Sequence, residues 1–331
     1  MREKMKPLRE LAFIAPILFG CLLGCTGAAR ASAKERLPNG WKSGFVNSSE
    51  GVKIHYVEAG HVTTTGDFAI GSGSPPGISA GGSLSVSHVH QSPAILFVPG
   101  WVMPEWIWDK QIEFFSKSHR VVAMDARSQG ESGRTSAGLY PAQMARDIQS
   151  VIDQLHLAPV VIVGWSMAVV ETLAYVDQFG TKAVAGLVLV DELAGGQEPG
   201  DAEMEIGILK RVLDDRKNTA DYFVRKVQFH KPQPEDYIQR VIAASLTVPT
   251  SDAVALLAGR YSADYRQVLP KIDRPTLVCV ARSAFFDRVV AMQQKIPGSR
   301  LEIFEGAGHA LFVDNPEQFN TALQSFVAGL K

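Results

Sequence analysis

The stretch VIVGWSMAVVE, Val161 to Glu171, constrains this chain more than any other. A β-branched apolar run, the mark of a buried strand, stops at Gly164; a lone serine follows, and a helical pattern begins at once. Strand and helix can meet at so tight a corner only where side chains are small, and Gly164 and Ala168 stand two residues either side of Ser166. A turn of this kind lifts a serine oxygen clear of the sheet, the geometry of a nucleophile elbow. The usual pattern has glycine at both flanks. Ala168 adds one methyl group, so the smallness survives.

Around that corner the chain alternates strands and helices. VKIHYVE (from Val52), AILFV (from Ala94), RVVAMD, PVVIV and AGLVLVD read as strands. PEWIWDKQIEFFSK, PAQMARDIQSVIDQL and AVVETLAYVDQFG read as helices, the second with proline in its first turn and the third ending in glycine. PTLVCVA and RLEIFE are further strands, and PEQFNTALQSFVAGL a closing helix. Strands linked by helical crossovers predict an α/β fold with a mostly parallel sheet. The core spans 40–191 and 271–331. An amphipathic helical segment at 192–270 falls between two strands and reads as an inserted cap. Residues 61–91, rich in Gly, Ser and Thr, read as a flexible loop insertion; its pair His88 and His90 lacks a third metal ligand in view.

With 331 residues, 46% of them hydrophobic, the chain can bury a large core. A formal net charge of -1 with scattered Lys and Arg gives no footprint for nucleic acid. The N-terminus, basic over Met1–Glu10 and apolar over Leu11–Leu23, reads as an export signal, since the apolar run is too short for a stable span. LLGC, ending at Cys25, resembles a lipoprotein box, and ARASA, ending at Ala33, offers a site to an ordinary signal peptidase. The expectation is a signal over 1–33 and a protein that is periplasmic, secreted or anchored to the bacterial envelope through a lipidated Cys25. Cys21 and Cys25 fall in that signal, and Cys279 sits in the apolar run PTLVCVA as a buried strand residue.

A serine hydroxyl needs a base, and His309 in EGAGHALFVDNPEQF is the candidate. It follows an apolar strand on a glycine-rich loop and precedes the last helix. The other seven histidines lack that setting: His55 is in an early strand, His61, His88 and His90 in the loop, His119 and His156 at element ends, His230 in the cap. The oxyanion calls for two backbone N–H donors, assigned to Met167, next after the serine, and to Trp101 in the PGW turn after AILFV. Asp125 reads as loop support, Glu171 as a packing or paired residue, and Trp106 and Trp108 as core at a helix start.

FVPGWVMPEWIWDKQIEFFSKSHRVVAMDARSQGESG, VGWSMA and FEGAGHALFVDNPEQF resemble the α/β-hydrolase superfamily, in particular its non-haem chloroperoxidase-like and carboxylesterase branch. The resemblance runs from about Gly40 to Lys331 without the loop at 61–91. It implies an α/β-hydrolase fold with a helical cap after the sixth strand. It also implies a serine hydrolase that cleaves small carboxylic esters or lactones through an acyl-enzyme, with no metal and no organic cofactor. Perhydrolase or haloperoxidase chemistry and acyl transfer are alternatives on the same residues, and a non-catalytic binding protein is a third. Pro99 replaces the histidine that often precedes the oxyanion glycine. The acid is the other departure: where relatives place aspartate after the strand matching PTLVCVA, this chain has Ala284. Two substitutes remain, Asp191 at the end of AGLVLVD, which is favoured, and Asp287 in AFFDR.

Overall fold

The apolar runs become the middle of an eight-stranded sheet, because a strand covered by helices on both faces can hold little but apolar side chains. The structure, a computed structural model, describes residues 37–60 and 92–330. The segment expected to be an export signal, with Cys21, Cys25 and Ala33, and the segment with His61, His88 and His90 lie outside the described residues.

The strands are β1 (Lys42–Asn47), β2 (Lys53–Ala59), β3 (Ala94–Val98), β4 (Val121–Met124), β5 (Val160–Trp165), β6 (Val184–Val190), β7 (Thr276–Ala281) and β8 (Arg300–Phe304). Their order across the sheet is β1-β2-β4-β3-β5-β6-β7-β8. The first two pairings are antiparallel and all others parallel. β3, β5 and β7 are buried at every residue, whereas the edge strand β1 is mostly exposed. That polarity is why β1 carries no apolar run to betray it in the sequence.

The helices are α1 (Asp109–Phe115), α2 (Pro141–Gln154), α3 (Met167–Phe179), α4 (Asp201–Asp214), α5 (Arg216–Phe223), α6 (Glu235–Leu246), α7 (Thr250–Tyr261), α8 (Phe286–Gln293), α9 (Leu311–Asp314) and α10 (Pro316–Ala328). Apolar residues of α1 and α10 pack on one face of the sheet, those of α2, α3 and α8 on the other. The sequence predicts one helix from Pro104; it divides into a 3₁₀ turn at Glu105–Trp108 and α1. Trp108 is fully buried and stacks on Phe312 with ring centroids 3.7 Å apart. Trp106 instead meets the inserted helices, with the Arg240 guanidinium 3.9 Å above its ring.

α4 to α7 all fall between β6 and β7, the place expected for a cap. A backbone clasp closes the base of this insertion: the Gly196 N–H donates to the Ala263 carbonyl at 2.9 Å, and the Tyr265 N–H to the Ala194 carbonyl at 2.8 Å. Among the described residues no single helix is long and apolar enough to cross a membrane.

Candidate active site

β5 ends at Trp165, and α3 begins at Met167. Ser166 between them has φ 56° and ψ -127°, a conformation that L-residues seldom adopt and that persists only where the surroundings enforce it. The enforcement is visible. A Cβ at Gly164 would stand 2.5 Å from Thr172 Oγ1 and 2.6 Å from the Ala168 carbonyl oxygen, so only glycine fits beneath the helix. A Cβ at Gly100 would lie 2.8 Å from Ser166 Cβ, so the loop after β3 is pressed against the serine. Val102 and Asp191 also have positive φ, 53° each, and the strain gathers in the same region.

The three side chains form one hydrogen-bonded chain. Ser166 Oγ donates to His309 Nε2 at 2.7 Å, and His309 Nδ1 donates to Asp191 Oδ2 at 2.8 Å. The other carboxylate oxygen of Asp191 accepts the Ala281 N–H at 2.8 Å, which ties its orientation to β7. Asp191 ends β6, the sheet neighbour of β5, so the acid and the serine arrive from adjacent strands. Asp287 is exposed in the first turn of α8 and is not the carboxylate against His309. Ala284 is likewise exposed.

His309 is held by more than its side chain. Its N–H donates to the Val227 carbonyl at 3.0 Å, and the Ala310 N–H donates to the Gln228 carbonyl at 2.9 Å. Both carbonyls belong to a single π turn, Val224–Gln228, a rare local geometry that recurs at functional sites. From below, the Trp165 indole donates to the His309 carbonyl at 2.9 Å. Burial works against a charged imidazole here. The Asp191 hydrogen bond and charge, helped by Glu192, outweigh it, and the pKa of His309 stands above the ordinary 6.5. Glu192 in turn accepts from Arg260 of α7 at 2.7 Å.

Trp101 and Met167 are the residues whose N–H groups the sequence assigns to the oxyanion. Met167 opens α3, and the first N–H groups of a helix have no partner within it. Trp101 follows Gly100, its indole donating to the Ala253 carbonyl of α7 at 2.8 Å. Asp125 accepts the Glu105 N–H at 2.8 Å, the Glu131 N–H at 2.9 Å and His55 Nδ1 at 2.8 Å, which braces the loop after β3. Asp125 therefore supports loops, as its sequence context suggests. Glu171 packs but does not pair: neither carboxyl oxygen has a partner among the described residues, and burial pushes its pKa up to about 8.

Sequence reasoning did not bring together His55, Asp125 and Ser43. Ser43 Oγ donates to His55 Nε2 at 2.8 Å, so a second serine–histidine–aspartate chain runs through β1 and β2. Glu105 joins it, and ligand-type atoms of His55, Glu105 and Asp125 lie within 4.8 Å of one another. Burial and the neighbouring Asp125 hold the Glu105 carboxyl far above the usual carboxylate range.

A parallel sheet with helices on both faces, an elbow serine after its central strand and a histidine on a loop after the last strand define an α/β-hydrolase. The profile of the alpha/beta hydrolase family matches residues 95–322. The chain belongs to this family and is one of its enzymes. It is 26% identical over 256 residues to a non-heme chloroperoxidase from Streptomyces lividans, covering 70% of this chain and 91% of that one. It is also 26% identical over 259 residues to a bifunctional esterase/perhydrolase from Acinetobacter calcoaceticus, covering 71% and 92%. Among solved structures, an esterase from Exiguobacterium antarcticum superposes with TM-score 0.71 at 24% identity, over 86% of this chain and 99% of that one.

Proposed function

We propose that the protein hydrolyses small carboxylic esters or lactones through an acyl-enzyme on Ser166. The observation that carries the reading is the unbroken hydrogen-bond chain from Ser166 through His309 to Asp191, set on a strained elbow. His309 Nε2 takes the hydroxyl proton as Ser166 Oγ attacks the ester carbonyl, and the Met167 and Trp101 N–H groups receive the developing oxyanion. The tetrahedral species collapses, His309 returns the proton to the leaving alcohol, and the acyl group stays on Ser166. Water then repeats the sequence and frees the acid. Asp191 holds the ring so that Nε2 faces the serine and stabilises the imidazolium formed in each half-reaction.

Replacing water by hydrogen peroxide in the second half would give a peracid. The name of the Acinetobacter relative supports this second reading. With an acid in reach of His309, the reading as a non-catalytic binder keeps only Pro99 in its favour. A panel of short p-nitrophenyl esters and lactones, assayed with and without peroxide, separates the three: turnover without peroxide supports the esterase, turnover only with peroxide the perhydrolase, and none the binder.

Export belongs to the same proposal and rests on the basic and apolar N-terminus alone. Mass spectrometry of the protein from its native host should find a chain starting at Cys25, acylated, or just after Ala33. An intact Met1 would contradict it.

A further inference from the structure

Two arginines of the inserted helices approach the site, and their surroundings differ. Arg260 is neutralised: it donates to Glu192 at 2.7 Å and has Glu205 at 3.9 Å. Arg216, at the start of α5, has no such counter-charge. Its Nη2 donates to the Ser245 carbonyl at 2.8 Å, near the end of α6. Its Nε and Nη1 are shielded from solvent and have no acceptor among the described residues. Burial alone acts on the group, and it lowers the pKa. A guanidinium has five N–H donors in a rigid fork, and a carboxylate fits either edge with two parallel bonds. Leaving most of those donors buried and unanswered is costly, so a group that answers them is favoured.

The position of Arg216 says which ligand. Its guanidinium carbon lies 5.2 Å from the ring centre of Trp101, whose backbone N–H is the assigned oxyanion donor. The Trp101 ring packs on Phe223 at 5.6 Å, and Phe223 on His309 at 6.5 Å. The unanswered cation is thus separated from the reacting groups by two aromatic rings. We infer that Arg216 receives a carboxylate carried by the substrate itself, so that the preferred substrates are esters or lactones with a second, ionised acid group several bonds from the scissile carbonyl. The inference rests on the esterase reading above and narrows its substrate class. Capping α6 needs only Nη2; it accounts for neither Nε nor Nη1.

The test uses monomethyl esters of the straight-chain dicarboxylic acids from succinic to suberic, each against its neutral dimethyl ester, at pH 8. The native enzyme should favour one or two monoesters over the matching diesters by roughly ten- to hundredfold in kcat/KM, chiefly through KM. The preference should peak at one chain length, because the carboxylate must span a fixed distance. In Arg216→Gln the ratio of monoester to diester should fall at least about tenfold. A purely structural Arg216 would depress both substrates together and leave the ratio where it was. Two results overturn the inference: a native enzyme that prefers the neutral diester at every length, or a monoester preference that persists in Arg216→Gln. Should that variant fail to fold, the native chain-length profile decides alone, and a flat profile overturns it. Failure of the esterase reading looks different: neither series is cleaved, and a fluorophosphonate leaves Ser166 unlabelled.

Discussion

Ser166–His309–Asp191 and Ser43–His55–Asp125 are two chains of the same three residue types with almost the same lengths, 2.7 and 2.8 Å in the first, 2.8 and 2.8 Å in the second. What separates them is the backbone that carries them. Ser166 stands on a strained turn with a helix N-terminus directly after it and Gly100 pressed against its side chain. Ser43 lies within the edge strand β1, in register with Val57 of β2, with no elbow and no helix behind it. Asp191 spends one oxygen on β7 and the other on His309. Asp125 serves two backbone N–H groups besides His55 and stands against Glu105, whose pKa burial and Asp125 itself push up. Hydrogen-bond lengths among three side chains therefore do not define an active site. The fixed donors around the nucleophile do.

The comparison breaks most directly by deleting each serine. Ser166→Ala should lower kcat on a short ester by on the order of 10⁶-fold, the size of loss expected when the serine of a triad is removed, while Ser43→Ala stays within about twofold. Equal losses would make the second chain a participant. Asp191→Asn should cut turnover by about four orders of magnitude, since the wrong histidine tautomer is then favoured; Asp287→Asn should do little.

A smaller effect sharpens the electrostatic contrast. His309 must be neutral to accept the proton, so activity should fall as pH drops, with a midpoint above 6.5 because Asp191 and Glu192 hold the pKa up. Glu192→Gln removes part of that support, and the midpoint of the pH–rate profile should move down. A midpoint unchanged in this variant would show that Glu192 does not reach the imidazole.

The smallest effect is expected at the second chain, on stability and not on turnover. The Glu105 carboxyl has a folded pKa far above its ordinary 4.5, so the folded state binds a proton that the unfolded chain releases. The stability this gives is complete below about pH 4.5 and is lost as pH rises through neutrality, by at most about 1.4 kcal/mol per pH unit. Glu105→Gln should flatten that decline in Tm between pH 5 and 8. A decline as steep as in the native protein would place the buried proton elsewhere.

Much of the first chain was legible in the sequence because its parts are local. Ser166 announces itself through Gly164, Ala168 and the change from strand to helix period, and His309 through the glycine loop after RLEIF. Asp191 could only be ranked against Asp287, because the choice depends on β6 lying beside β5 while Asp287 faces outward from α8. The second chain was illegible for a related reason. Ser43 sits on a polar edge strand without apolar alternation, and it meets His55 and Asp125 only through sheet register. Arg216 carries no signal of its own within the segment 192–270 of the sequence; only the fold shows that its guanidinium lies against Trp101.

One measurement tests the central claim that Ser166, and not the matching serine in β1, is activated. The purified protein is treated with a fluorophosphonate, digested, and mapped by mass spectrometry, in parallel with His309→Ala and His55→Ala. Stoichiometric phosphonylation of Ser166 with loss of activity is expected, suppressed in His309→Ala and retained in His55→Ala, with none on Ser43. Label on Ser43, or esterase activity that survives with Ser166 unmodified, would contradict it.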